Sequence, residues 1–209
     1  MASPLQQTAQ WFQDRVGCLT ASQAVKALAR SKTTGKPLAS YKELIDKLIA
    51  ERVTGEPVST PLTVAMQWGV DNEDAARDRY EIETGELVDL VGFVPHPTIA
   101  WFGASPDGLV GDDGLIEIKC PTTTTHLRRI KEGVVPEEYK AQMQVQLLCT
   151  GRKWVDFVSY DPRVKGEYDR FQFWTIRYEP TAEELNDTER KCVEFLEEVE
   201  AEMARLLEM

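Results

Sequence analysis

The pattern of apolar and polar positions changes period along the chain, and that change divides it. The N-terminal third reads as helices. Ser3 and Pro4 look like an N-cap and first helical residue, opening a helix to about residue 15 that Gly17 interrupts. Thr20-Ala-Ser-Gln23 and Ser40-Tyr-Lys-Glu43 are capping-box patterns, predicting helices over 20–29 and 40–52. Between them, residues 30–39, with Lys32, Gly35, Lys36 and Pro37, read as a basic, flexible loop. The Gly/Pro-rich stretch 54–61 precedes a long amphipathic helix over 62–84, stopped by Gly85. β-prone runs then appear at 87–94 and 99–103, with Pro95 and Pro97 between them. The stretch S-P-D-G-L-V-G-D-D-G-L-I-E-I-K-C-P from Ser105 reads as a hairpin whose strands flank Gly111-Asp112-Asp113-Gly114. Helices at 122–132 and 137–150 follow, then strands at 154–160 and 170–178 around an Asp161-Pro-Arg turn. Thr181-Ala-Glu-Glu184, a third capping box, opens a helix to the end. This order predicts an α/β fold: a mixed central sheet flanked by helices, with helices before it and an acidic helix after it.

Composition narrows the class. A chain of 209 residues, 42% hydrophobic and 28% charged, has the size and make-up of one globular domain spanning 1–209. No apolar run approaches a membrane span and the N-terminus lacks the order of a signal peptide, so a cytoplasmic protein is expected. Cys18, Cys120, Cys149 and Cys192 are scattered without a C-x-x-C pair, which speaks against zinc or iron–sulfur binding and for buried free thiols. The net charge of −11 disfavours a phosphate-binding surface. Much of that acid lies in the last thirty or so residues, where a helix on the far side need not meet an anionic ligand.

The hairpin carries the candidate chemistry. On its second strand Glu117 and Lys119 share a face, Ile118 points into the core, and Asp107 at the foot of the first strand can reach the same place. Two carboxylates suit a hard cation such as Mg²⁺ or Mn²⁺, which activates water and neutralises charge on a phosphodiester. The lysine can position or deprotonate that water, or stabilise transition-state charge. Taken singly, the same residues also suit a solvated ion pair beside an ordinary Asp-Gly turn.

The whole string P-D, nine residues, then E-I-K-C-P resembles the PD-(D/E)xK nuclease signature. S-P-D-G-L with L-I-E-I-K-C-P resembles, more narrowly, the lambda-exonuclease branch, the YqaJ-type viral recombinases. The resemblance implies a restriction-endonuclease-like core and a Mg²⁺-dependent exonuclease, with Mn²⁺ able to substitute. It would digest one strand of duplex DNA from a 5′-phosphorylated end and leave a 3′ tail. A ring-shaped homotrimer, DNA ends as substrate, and a single-strand annealing protein as partner in phage recombination are implied with it.

Further residues follow from the same resemblance. Glu73 lies in W-G-V-D-N-E-D-A-A-R, similar to the family's W-G-x-x-x-E-x-x-A-R, which makes it a metal ligand. Asp107, Glu117 and the carbonyl of Ile118 would hold one ion, and Glu73 with Asp107 a second. Tyr139 and Gln142 of Y-K-A-Q-M-Q-V-Q share one helix face, and the resemblance sets them near the scissile phosphate, in preference to Gln144 and Gln146. Arg15 and Ser22, in R-V-G-C-L-T-A-S, with Ser105, would hold the 5′ phosphate. Met66, two before the W-G motif, corresponds to an apolar wedge where the strands part, and equally to a core filler. An arginine expected after K-C-P is replaced by Thr122 to Thr125, with Arg128 or Arg129 as candidates for its place. His126 reads as a surface residue and His96 as loop. A same-fold endonuclease or repair nuclease, and a non-catalytic DNA-end-binding module, are the alternative functions.

Overall fold

The computed structural model describes residues 6–31, 33–58 and 61–209, so Ser3, Pro4 and Lys32 lie outside the described residues. The first described helix, α1 (Ala9–Asp14), is capped by Thr8, whose side chain accepts from the Trp11 N–H. Strand β1 (Leu19–Thr20) leads through a 3₁₀ turn into the short α2 (Ala24–Ala27). There the predicted box closes, with Gln23 Oε1 accepting from the Thr20 N–H at 3.1 Å.

Helix α3 (Ala39–Thr54) starts earlier than its sequence box suggests. Leu38, not Ser40, is the N-cap and gives no side-chain bond. Burial of Tyr41 decides this entry: its hydroxyl donates to Glu198 at 2.6 Å and its ring meets Phe195 edge-on at 4.9 Å. Helix α4 (Val64–Thr84) runs to Gly85, which takes the left-handed φ that stops it.

The two β-prone runs yield three short strands, β2 (Val88–Asp89), β3 (Val94–Pro95) and β4 (Phe102–Ala104). Pro95 has no N–H for a longer ladder, and the run is shared between two sheets. A three-stranded sheet has the order β1-β4-β3. The hairpin strands β5 (Gly108–Val110) and β6 (Gly114–Lys119), with β7 (Trp154–Tyr160) and β8 (Phe173–Tyr178), build a five-stranded sheet ordered β2-β5-β6-β7-β8. It is mixed: β6 and β7 are parallel and the remaining pairs antiparallel. Strand β8 begins later than predicted because Gly166–Phe171 wind into a 3₁₀ stretch.

Helices α5 (Thr123–Glu132) and α6 (Glu137–Thr150) form the crossover from β6 to β7, and α7 (Ala182–Leu207) closes the chain. The period-two alternation of the strands sorts the core. Ile116, Ile118, Val158 and Tyr160 pack with Ala76 and Tyr80 of α4, whereas Leu115, Val155 and Phe157 pack with Met143 and Leu147 of α6. The central sheet is therefore covered by α4 on one face and α6 on the other. Helix α7 packs outside α6, α2 and α3, burying Cys192, Phe195, Leu196 and Val199. Its acidic residues Glu183, Glu194, Glu197 and Glu200 stay on the exposed side.

Candidate active site

Strand β6 presents the predicted constellation at its C-terminal end. Glu117 is fully buried, on the α6 side of the sheet. Asp107 Oδ2 accepts from the Ile118 N–H at 2.7 Å, so the foot of β5 is tied across to the strand that carries the lysine. Lys119 Nζ pairs with Glu117 Oε1. Gln142 Nε2 reaches the same oxygen at 2.7 Å, and Gln146 Nε2 donates to Oε2 at 2.6 Å. Both Glu117 oxygens are thus held by amides of one helix face.

Gln146 belongs to this clamp, although the sequence reading sets it aside. Helical arithmetic is the signal that finds it: Tyr139, Gln142 and Gln146 fall at i, i+3 and i+7. Gln144 points elsewhere, donating to Tyr178 Oη at 2.6 Å and accepting from Thr188 Oγ1 at 2.6 Å.

Glu73 approaches from α4. Arg77, one turn on, pairs with it at 2.8 Å and donates from Nε to the Asp107 carbonyl at 3.3 Å. Arg77 thereby joins the helix to the hairpin, a role that only its place in the W-G motif hinted at. The electrostatics mark a site short of positive charge. Burial, then repulsion by Glu117 and Glu73, holds the Asp107 carboxyl well above the usual range. Burial also raises Glu73, with Arg77 opposing. Burial, then Glu73 and Asp107, pushes the Cys120 thiol up to about 12. Lys119 is held above its ordinary value because Glu117 and Asp107 outweigh the burial that would lower it.

Mutually repelling carboxylates, one buried and two half-buried, that offer only oxygen donors fit a hard divalent cation. Among the described residues no group of three or more His, Cys, Asp and Glu side chains stands ready as a metal cage. The expected ligands instead face the chain's own cations, Glu117 toward Lys119 and Glu73 toward Arg77.

A second cluster gathers part of the predicted phosphate pocket. The Arg15 guanidinium lies 3.9 Å from the Trp11 ring centroid, and Trp11 Nε1 donates to Ser105 Oγ at 3.0 Å. Burial lowers Arg15 to about 10, with Glu51 the main opposing charge. Ser22 is exposed, its Oγ 3.3 Å from Thr20 Oγ1; Thr20 ends β1, which pairs in parallel with β4, the strand leading into Ser105. The turn after Arg15 is clamped at both polar groups of Gly17. Its N–H donates to Glu51 Oε2 at 3.1 Å and its carbonyl accepts from Arg52 Nε at 2.9 Å.

Other expectations are corrected. Met66 is 48% exposed, so it fills no core; the first half of α4 runs past the sheet, leaving Val64 and Val70 exposed as well. His126 is fully buried, not a surface residue, with Nδ1 2.8 Å from Ser159 Oγ and Nε2 2.6 Å from the Phe171 carbonyl. His96 lies in a loop as expected but is buried, stacked on Phe102 and 3.1 Å from Glu189. All four cysteines are free; Cys149 and Cys192 are buried, Cys18 and Cys120 only partly. Arg128 is exposed, and Arg129 is buried against Tyr139 rather than open to a DNA end. Among the described residues no helix is long and apolar enough to cross a membrane.

A mixed sheet whose hairpin presents Asp, Glu and Lys at one strand end, braced by a glutamine-bearing helix, defines the PD-(D/E)xK class. Residues 10–153 match the model of the YqaJ-like viral recombinase domain, and the chain belongs to that family. It is similar to an alkaline exonuclease from Laribacter hongkongensis, LHK-Exo, at 46% identity over 96% of this chain and 97% of that one, with a TM-score of 0.87. LHK-Exo in complex with dAMP matches at 46% identity over 95% and 96% of the two chains, with a TM-score of 0.86. A phage-related exonuclease from Haemophilus somnus 129PT shares the fold at 14% identity over 91% and 95%, with a TM-score of 0.65. No curated protein sequence gives a significant match.

Proposed function

We propose that the chain is a single-domain, Mg²⁺-dependent exonuclease that digests one strand of linear duplex DNA from a 5′-phosphorylated end. The Asp107–Glu117–Lys119 constellation, built around the buried Glu117, carries this reading, supported by likeness to an alkaline exonuclease along nearly the whole chain. Asp107, Glu117 and the Ile118 carbonyl would hold one divalent ion, Mg²⁺ or Mn²⁺, and Glu73 with Asp107 a second. The bound ion supplies an activated water and charge neutralisation at the phosphate. Gln142 and Gln146 fix both oxygens of Glu117, so that carboxylate reaches the site already oriented. Lys119 brings a cation to the place where negative charge develops, and Tyr139 stands beside it. Arg15, Ser22 and Ser105 would receive the 5′ phosphate and so set which bond lies over Asp107 and Glu117.

Met66, exposed at the start of α4, fits a wedge that packs on the terminal base pair as the strands part. A homotrimeric ring would carry the acidic α7 outward and leave a channel for the product strand. The 3′ tail would pass to a single-strand annealing protein in phage-type recombination.

The test compares linear duplex with covalently closed circles, each with Mg²⁺, with Mn²⁺ and with chelator. Release of nucleotides from 5′-phosphorylated linear duplex alone, abolished by chelator, is the expected result. Cutting of closed circles would instead make the chain an endonuclease. End binding without any release would make it a binding module.

A further inference from the structure

Arg129 on α5 is 4% exposed, an unusual place for a guanidinium. Its ion pair is long and peripheral: Glu138 Oε1 lies 3.8 Å away on a side chain that is 58% exposed. Its Nη1 is buried without a hydrogen-bond partner among the described residues. As packing alone this is costly, since an apolar chain of similar length would fill the space without an orphaned donor.

What the cation does engage is Tyr139. Nη2 donates to Tyr139 Oη at 2.9 Å, and the guanidinium lies 5.1 Å from the Tyr139 ring centroid and 5.4 Å from that of Phe157. The tyrosine ring stacks on Phe157 at 5.3 Å, and Lys119 Nζ stands 5.2 Å from the centroid of that same ring. One turn further along α6, Gln142 grips Glu117. The phenol is therefore fixed by Phe157, Lys119 and Arg129 together. Because its oxygen accepts from Arg129, its own proton stays free to be given, and the charged donor polarises that O–H.

We infer that Arg129 is a positioning residue that holds Tyr139 beside the Glu117–Lys119 pair as a polarised hydrogen-bond donor to a non-bridging oxygen of the reacting phosphate. The inference rests on the nuclease reading above. It gives Arg129 a task distinct from the 5′-phosphate pocket, which its burial keeps it from joining.

A double-mutant cycle tests it. Turnover on saturating 5′-phosphorylated linear duplex is measured for wild type, Arg129→Met, Tyr139→Phe and the double variant, each with its melting temperature. Arg129→Met and Tyr139→Phe should each lower kcat by about tenfold to a hundredfold with KM little changed, as for loss of one charge-assisted hydrogen bond. The double variant should be no slower than Tyr139→Phe alone. Arg129→Lys keeps the charge but not the fork, and should recover only part of the rate. If Arg129→Met does not fold, Arg129→Lys with and without Tyr139→Phe carries the same comparison. Multiplying losses in an active enzyme, or an unimpaired Tyr139→Phe, would overturn this role alone. A wild type inactive on every linear duplex would overturn the nuclease reading and this role with it.

Discussion

At the scale of single residues, two side chains show how far environment outweighs type. Lys119 is a strand-end lysine that would ordinarily be solvated; here it is half-buried, and Glu117 and Asp107 outweigh the desolvation that would lower its pKa. Lys119→Ala should abolish cleavage while duplex binding and metal binding largely survive, as read by nucleotide release beside fluorescence anisotropy. Near-wild-type cleavage would remove β6 from the chemistry. His126 is the opposite case, a titratable group kept neutral. Burial lowers it from 6.5, with the Phe171 carbonyl opposing, and the neutral ring donates from Nε2 to that carbonyl while Nδ1 accepts from Ser159. A histidine with a depressed folded pKa contributes stability that is fully present above the unfolded value of 6.5 and is lost as pH falls through the folded value. Wild type should therefore lose more stability than His126→Gln between pH 7.5 and 5 in denaturant melts. Parallel losses would show that His126 does not titrate on unfolding.

At the scale of elements, the turn between α1 and β1 and the free half of α4 carry the predictions. Gly17 has φ +70°, and a Cβ there would come 2.5 Å from Arg52 Cγ. Gly17→Ala should cost about 1–2 kcal/mol from the left-handed backbone alone. It should also disturb Arg15, two residues earlier. Arg15→Ala should slow digestion of 5′-phosphorylated ends by roughly tenfold to a hundredfold and of 5′-hydroxyl ends far less. Gly17→Ala should move the ratio of the two rates in the same direction; equal losses on both ends would reduce this cluster to a folding role. Met66, being exposed, makes a cleaner test than a core methionine would. Met66→Ala should leave the melting temperature unchanged and slow blunt duplex more than an end frayed by mismatches. A lowered melting temperature with both substrates slowed alike would refute the wedge.

At the scale of the whole molecule, the paradox is a chain of net charge −11 read as a DNA enzyme. The fold separates the two properties. Helix α7 packs on α6, α3 and α2, and pairs part of its acid internally through Arg190 with Asp187 and Glu194, and Arg205 with Glu202. The α4 side, with Glu73, Arg77 and the exposed apolar residues of its first half, lies across the central sheet. A ring built with α7 outward should have the mass of three chains by light scattering. A monomer that digests long duplex without dissociating would exclude the channel as the source of processivity.

Much was legible before folding, and for local reasons. The hairpin, α6, β7 and the capped start of α7 appear where turn chemistry, period and capping boxes put them, because those signals act over a few residues. Asp107, Glu117 and Lys119 were readable for the same reason, since strand alternation alone sets two of them on one face. What failed locally was decided by partners distant in sequence. Ser40 lost its cap to the burial of Tyr41 against α7, His126 was drawn inward by Ser159 and Phe171, and Gln146 acquired its role from Glu117. Arg77 and Arg129 tell the same story, each an ordinary helix-face cation until the Asp107 carbonyl or the Tyr139 phenol comes within reach. Sequence by itself determined which chemical groups the chain carries and the periodicity of each element. Only the tertiary structure decided which groups meet, because burial and pairing depend on contacts between residues tens of positions apart.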